Sequence, residues 1–106
     1  MAKPKSPLDG DLLLIDRHIE VRYMHPDDLD DAAGDANWSA GVINIATGLK
    51  LPIEKQTVMH ELVHIIDESF GIGLKENQVQ ALSIPLARLV ADNPQLIAYL
   101  TKKEEP

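Results

Sequence analysis

Hydrophobic and polar residues alternate along the first part of the chain and recur with helical spacing along the second. Residues 12–15 form an apolar run, and residues 19–24 alternate apolar with polar side chains, so both segments predict strands. The residues between them, 16–18, fit either a hairpin turn or the bend of one continuous strand. A third strand is predicted over residues 38–47, which are rich in β-branched side chains.

The remaining apolar positions repeat every three to four residues, which predicts helices. Val58, Leu62 and Ile65 place one such stripe on a helix that ends at Gly71. A second helix is predicted over residues 75–92, with Pro85 inside it expected to kink or split it. The Asp-Asn-Pro sequence that follows predicts a break and a short last helix over residues 95–100.

This order of elements predicts an α+β fold in which a small antiparallel or mixed sheet of about three strands packs on the first helix and on a C-terminal helical segment. A chain of 106 residues is long enough for one domain and too short for two. We expect a flexible lead-in over residues 1–10, a single domain over residues 11–102, and a charged tail over residues 103–106.

Composition excludes several classes of function. The formal net charge of −7 disfavours binding to nucleic acid, which requires lysine and arginine against phosphate groups. The chain has no cysteine, so any zinc ion must be held by histidine and carboxylate ligands. No apolar run has the length of a membrane span, and no signal-peptide core follows the basic start, so no membrane partner and a cytoplasmic location are expected.

The first helix carries a complete H-E-x-x-H motif, formed by His60, Glu61 and His64. Side chains four residues apart lie on the same helix face, so both imidazoles can be directed at one point. Glu61 is turned by about 100° around the axis and can reach a water molecule beside the metal without binding the metal. The motif therefore predicts a zinc hydrolase site in which His60 and His64 bind the ion and Glu61 is the general base.

Such a site needs a third protein ligand, for which Asp67, Glu68 and Glu76 are candidates. The first two lie on the same helix as the histidines, and one straight helix cannot surround a metal ion. Glu76 opens the next helix after a glycine-containing turn and is the favoured ligand. We expect Asp67 and Glu68 to orient His64 or to face solvent, and Gln80, one turn after Glu76, to support a ligand histidine.

Two further segments allow alternative interpretations. Clustered aspartates between residues 27 and 35 suggest calcium binding, but the spacing of an EF-hand loop is absent, so a solvated acidic loop is favoured. Residues 40–46 precede the motif helix and could form an edge strand beside which an extended substrate adds, or an ordinary sheet strand.

The motif, the glycine turn and the following E-N-Q-V-Q-A-L segment resemble the gluzincin metallopeptidase pattern. More closely, residues 38–100 are similar to small phage and prophage proteins regarded as minimal metallopeptidases, distantly akin to the ImmA/IrrE peptidases. The resemblance implies that His60, His64 and Glu76 bind zinc and that Glu61 is the general base. Gln80 departs from the acidic residue that larger gluzincins have at this place.

The sequence thus predicts a zinc-dependent peptidase acting on a peptide or protein substrate. His18, Tyr23 and His25 are possible by residue type as stabilisers of the oxyanion, and nothing selects among them. The alternative is a non-catalytic, phage-derived binding protein whose zinc site is structural or vestigial. A DNA-linked regulator rests only on the ImmA analogy and is disfavoured by the negative charge.

Overall fold

A four-stranded mixed sheet and three helices make up the computed structural model, which describes residue 8 and residues 10–104. The strands are β1 (Gly10–Leu14), β2 (Arg17–Met24), β3 (Gly34–Asn37) and β4 (Val42–Ala46). The helices are α1 (Leu51–Phe70), α2 (Glu76–Asp92) and α3 (Pro94–Leu100). The predicted α+β class is confirmed, with one strand more than the three expected.

The sheet has the strand order β1-β2-β4-β3. Strands β1 and β2 form an antiparallel hairpin, which resolves the alternatives left open by the sequence, and Ile15 in its turn has a positive φ of 58°. Strand β2 pairs in parallel with β4, whereas β3 pairs with β4 in antiparallel register. The chain therefore passes from β2 over the end of β4 to the sheet edge and returns along β4.

Strand β3 lies in the acidic segment that was predicted to be a solvated loop. The predicted third strand is also shorter than expected, because residues 38–41 form the β3–β4 turn, with Gly41 at a φ of 69°. Strand β4 has a neighbour on each side, so the hypothesis that residues 40–46 form the sheet edge is wrong. Its almost wholly apolar sequence suits an interior strand, and the edge beside α1 is β3.

The hydrophobic core lies between α1 and one face of the sheet. Along β2 every second side chain points into this core, as the alternating pattern predicts. The buried cluster consists of Ile19, Val21, Tyr23, Ile43, Ile45, Val58 and Ile65. Because α1 packs against both β3 and β4, its polar motif residues are brought to the edge of the sheet.

Helix α2 packs against α1 and buries Val79 and Ser83. Pro85 does not split this helix. Because proline has no backbone N–H, the carbonyl of Ala81 loses its helical donor, but both residues are exposed and water can take the place of that donor. Helix α3 buries none of its residues. No helix among the described residues is both long enough and apolar enough to cross a membrane.

The predicted lead-in falls largely on residues 1–7 and 9, which lie outside the described residues. Gly10, which was assigned to the lead-in, instead begins β1, and Leu8 packs against the hydrophobic core. In the predicted tail, residues 103 and 104 follow α3 without regular structure, and residues 105–106 lie outside the described part of the chain.

Candidate metal centre

The motif helix α1 presents His60 and His64 on one face. Pro52 lies in its first turn, where a missing backbone N–H costs nothing, and Gly71 ends the helix in the left-handed conformation. The two imidazole rings pack edge to face, with their centroids 4.9 Å apart. Their side chains are 15% and 28% exposed, so both remain accessible from the cleft between α1 and α2.

A sharp turn between α1 and α2 is held by Asp67. Its carboxylate oxygen Oδ1 accepts hydrogen bonds from the backbone N–H groups of Gly73 (2.8 Å) and Leu74 (2.9 Å). The backbone carbonyl of Asp67 accepts hydrogen bonds from the backbone N–H groups of Gly71 and Ile72. The expectation that Asp67 orients His64 or faces solvent is wrong, because the side chain is buried and is directed at the turn.

The turn places Glu76, the first residue of α2, opposite the paired histidines. Nε2 of His60 lies 2.8 Å from Oε1 of Glu76, and Nε2 of His64 lies 3.0 Å from Oε2. One ligand atom from each of the three residues lies within 4.8 Å of the others. The carboxylate thus bridges the two imidazoles in the position from which the three groups can hold one metal ion.

The donor set fits a divalent transition metal. Two imidazole nitrogens and one carboxylate oxygen are ligands that zinc accepts, and three protein ligands leave further positions for water or substrate. Among the described residues this is the only group of three or more such side chains with ligand atoms that close together. The aspartates between residues 27 and 35, all of which the structure describes, form no comparable group.

Glu61 lies beside this centre in a setting that favours the protonated carboxyl. Its side chain is only 6% exposed. Burial raises the pKa of Glu61 to about 7, with His60 opposing the rise and the carboxylates of Asp35 and Glu76 adding to it. A pKa near neutrality suits a group that must take up and release a proton at physiological pH.

A cavity of about 320 Å³ opens over Glu61. Among the residues that line it are His60, Glu61, Gly34 and Gln80. Gln80 therefore lines the same cavity as His60, but among the described residues no hydrogen bond joins it to either histidine, so the predicted support of a ligand histidine is not observed. Residues of β3 and α2 line opposite sides of this cavity, and residues of α1, His60 and Glu61 among them, lie between them.

The three residues considered as oxyanion stabilisers do not line this cavity. His18 lies on the face of β2 opposite the core, 3.7 Å from the carboxylate of Asp11. Tyr23 is buried in the core cluster, and His25 accepts a hydrogen bond at Nδ1 from the backbone of Asp27. None of the three is placed to contact a group bound at the centre, so these predictions are corrected.

Sequence reasoning missed the contribution of β3. Gly34 and Asp35 bring the edge strand against α1, and Asp35 is held there because its Oδ1 accepts a hydrogen bond from Nδ2 of Asn44 (2.7 Å). The only signal in the sequence was a glycine within a run of acidic and small residues, which is equally typical of a loop.

Comparisons of the chain with protein-family models, with curated proteins and with solved structures gave no significant match.

Proposed function

We propose that this protein is a zinc-dependent metallopeptidase of gluzincin-like type. The observation that carries the proposal is the convergence of His60, His64 and Glu76 from two helices on one point, with Glu61 buried beside them. A structural zinc site is closed by its ligands and has no need of a further buried acid beside them. A fourth, buried acidic residue beside the ligands is the additional group that hydrolysis requires.

Zinc suits this donor set better than the harder cations. Magnesium and calcium prefer a shell made of oxygen ligands, whereas two imidazoles favour zinc or another late transition metal. The absence of cysteine removes the thiolate sites that often hold structural zinc. Two histidines and a carboxylate are also a ligand set found in catalytic zinc sites, which keep a position open for water.

A zinc ion held by these residues would supply Lewis acidity, lowering the pKa of water and polarising the scissile carbonyl. Glu61 accepts a proton from the water molecule as the water oxygen bonds to the carbonyl carbon. The carbon–nitrogen bond then breaks, and Glu61 returns the proton to the leaving nitrogen. The products are a carboxylic acid and an amine, so protons and electrons balance without a further reactant.

The cleft suggests how a peptide would be held. Among the described residues, strand β3 has a hydrogen-bonded neighbour on only one side, so its other edge can pair with an extended peptide. Gly34, at the start of β3, lines the cavity together with Glu61. A peptide added along β3 would therefore pass the centre. The substrate edge is β3 in this proposal, in place of residues 40–46.

A non-catalytic binding protein is the second candidate. It is favoured by one observation: His18, Tyr23 and His25, the residues considered for oxyanion stabilisation, all lie elsewhere. In that case the metal would fix α1 against α2 and support a surface that engages another protein. The resemblance to phage and prophage proteins fits either candidate, and we infer that the protein acts in the cytoplasm of a host cell.

The test compares wild type with Glu61→Gln, using Glu68→Gln as the matched control on an exposed position of the same helix. Zinc content is measured by mass spectrometry, and cleavage is measured on a peptide library. The peptidase proposal expects all three proteins to hold one zinc ion and only Glu61→Gln to lose cleavage. Zinc binding by wild type without cleavage of any peptide would favour the binding protein, and absence of zinc would reject both.

A further inference from the structure

Gly34 lies where the edge strand β3 comes closest to the motif helix. Cross-strand pairing fixes its position, because Gly34 stands opposite Ile45 on β4. A Cβ atom at this position would meet the side chains of Thr57 and Glu61 from α1. The backbone of β3 is therefore paired with β4 and packed against the helix at the level of the buried carboxyl group.

A side chain at this position has no room. A Cβ atom added to Gly34 would lie 2.8 Å from the carbonyl oxygen of Asn44 and 2.9 Å from Cγ2 of Thr57. It would also lie 3.3 Å from Cγ of Glu61. Because the nearest of these atoms belongs to backbone and the next to a β-branched side chain, neither can move aside easily.

The glycine is not required by its backbone angles. Four glycines of the described chain have a positive φ, and Gly34 is not one of them. Glycine within a strand is less favourable than alanine, because it loses more conformational freedom on folding and contributes no side chain to packing. The close approach to Asn44, Thr57 and Glu61 is thus the physical reason for glycine here.

We propose that Gly34 is a positioning residue for Glu61: the absence of a side chain lets β3 form the wall that fixes the Glu61 carboxyl beside the metal ligands. This inference rests on the proposed peptidase function. Alanine at this position would push β3 away from α1 or turn the Glu61 side chain. Misplacement of a reacting group by about 1 Å can lower a rate about 100-fold.

The experiment measures kcat, KM and zinc content for Gly34→Ala and for the double variant Gly34→Ala/Thr57→Ser. Serine lacks Cγ2 but can keep the hydrogen bond that Thr57 Oγ1 donates to the carbonyl of Ile53 (2.7 Å). Thr57→Ser alone is the reference for the double variant. Gly48→Ala is the matched control, because it adds a methyl group in open space at a φ of 82°.

We expect Gly34→Ala to hold zinc, to keep KM within about twofold and to lose kcat by roughly 10- to 100-fold. The double variant should recover several-fold in kcat relative to Gly34→Ala, because space opens toward the helix. Gly48→Ala should lose stability from backbone strain and keep kcat. Unchanged kcat in Gly34→Ala would overturn the inference. Loss of zinc or failure to fold in both Gly34→Ala and Gly34→Ala/Thr57→Ser would also overturn it, because Gly34 would then have a purely structural role.

A measurement that does not depend on cleavage separates this inference from the proposed function. In wild type, the nuclear Overhauser effect should connect the Gly34 Hα proton that points along the Cβ direction with the Hγ protons of Glu61, because a Cβ atom there would lie 3.3 Å from Cγ of Glu61. If wild type cleaves no peptide, the peptidase proposal fails while this contact can still be observed. If the contact is absent, positioning by Gly34 is rejected whether or not peptides are cleaved.

Discussion

Removal of the Asp67 carboxylate should destabilise the protein by releasing the turn between α1 and α2. The side chain is 7% exposed and accepts two backbone hydrogen bonds at 2.8 and 2.9 Å. Hydrogen bonds to a charged group contribute about 1.5–3 kcal/mol each, and the upper part of that range applies only where the abandoned donors stay buried. Gly73 is exposed and Leu74 half-buried, so water can reach at least one amide. We therefore expect Asp67→Ala to lose about 3 kcal/mol in total.

Urea unfolding followed by circular dichroism measures this loss, on zinc-free protein so that metal binding does not contribute. A loss of about 3 kcal/mol lowers the midpoint by roughly 1–2 M for a domain of this size. Asp67→Asn keeps an oxygen acceptor in place and should lose less than half as much. Glu68→Ala removes an exposed carboxylate one residue away and should stay within about 0.5 kcal/mol of wild type.

Equal stability of Asp67→Ala and Glu68→Ala would refute the assignment of Asp67 to the turn. If Asp67→Ala is less stable than Glu68→Ala, the candidate metal centre should also be affected, because Leu74 precedes Glu76 by only two residues. A loosened turn leaves the Glu76 carboxylate less well placed against His60 and His64. Zinc affinity should then fall in Asp67→Ala, although less than when Glu76 itself is removed.

Two further predictions concern the centre itself. Glu76→Ala should weaken zinc binding by more than about 100-fold in a competition assay with a chelator, because a ligand is lost, whereas Glu68→Ala should leave it unchanged; equal retention would contradict the ligand assignment. In zinc-free protein the pKa of Glu61 lies near 7, against an ordinary value of 4.5, so the folded state holds its proton over a pH range in which the unfolded state has released it. The free energy of unfolding should therefore decrease by about 3 kcal/mol as pH rises from 4.5 to 7, and Glu61→Gln should lack this part of the slope in urea titrations at several pH values. An identical slope in both proteins would show that Glu61 does not titrate in this range.

Local spacing explains which features were predictable from the sequence. His60 and His64 share a face because they are four residues apart on one helix, whatever surrounds that helix. Glu76 was favoured because a glycine turn of a few residues brings the start of α2 back toward the end of α1. Both arguments concern neighbouring elements, and the structure brings these three side chains together.

The long-range features required the folded chain. No local sequence pattern predicts that β4 inserts between β2 and β3. This insertion makes β3 the sheet edge beside the cleft. Tyr23 was considered for catalysis by residue type, but the register of β2 turns it into the core. Asp67 was placed near His64 by sequence spacing, whereas its orientation depends on the path of the turn after α1.

The sequence by itself therefore determined the helices and the three side chains of the candidate metal centre, since helical periodicity and short turns are fixed over a few residues. Only the tertiary structure decided the edge strand, the burial of Glu61 and the contact of Gly34 with α1. These depend on strand pairing between segments distant in the chain, and the energy of such pairing comes from packing that no single segment contains.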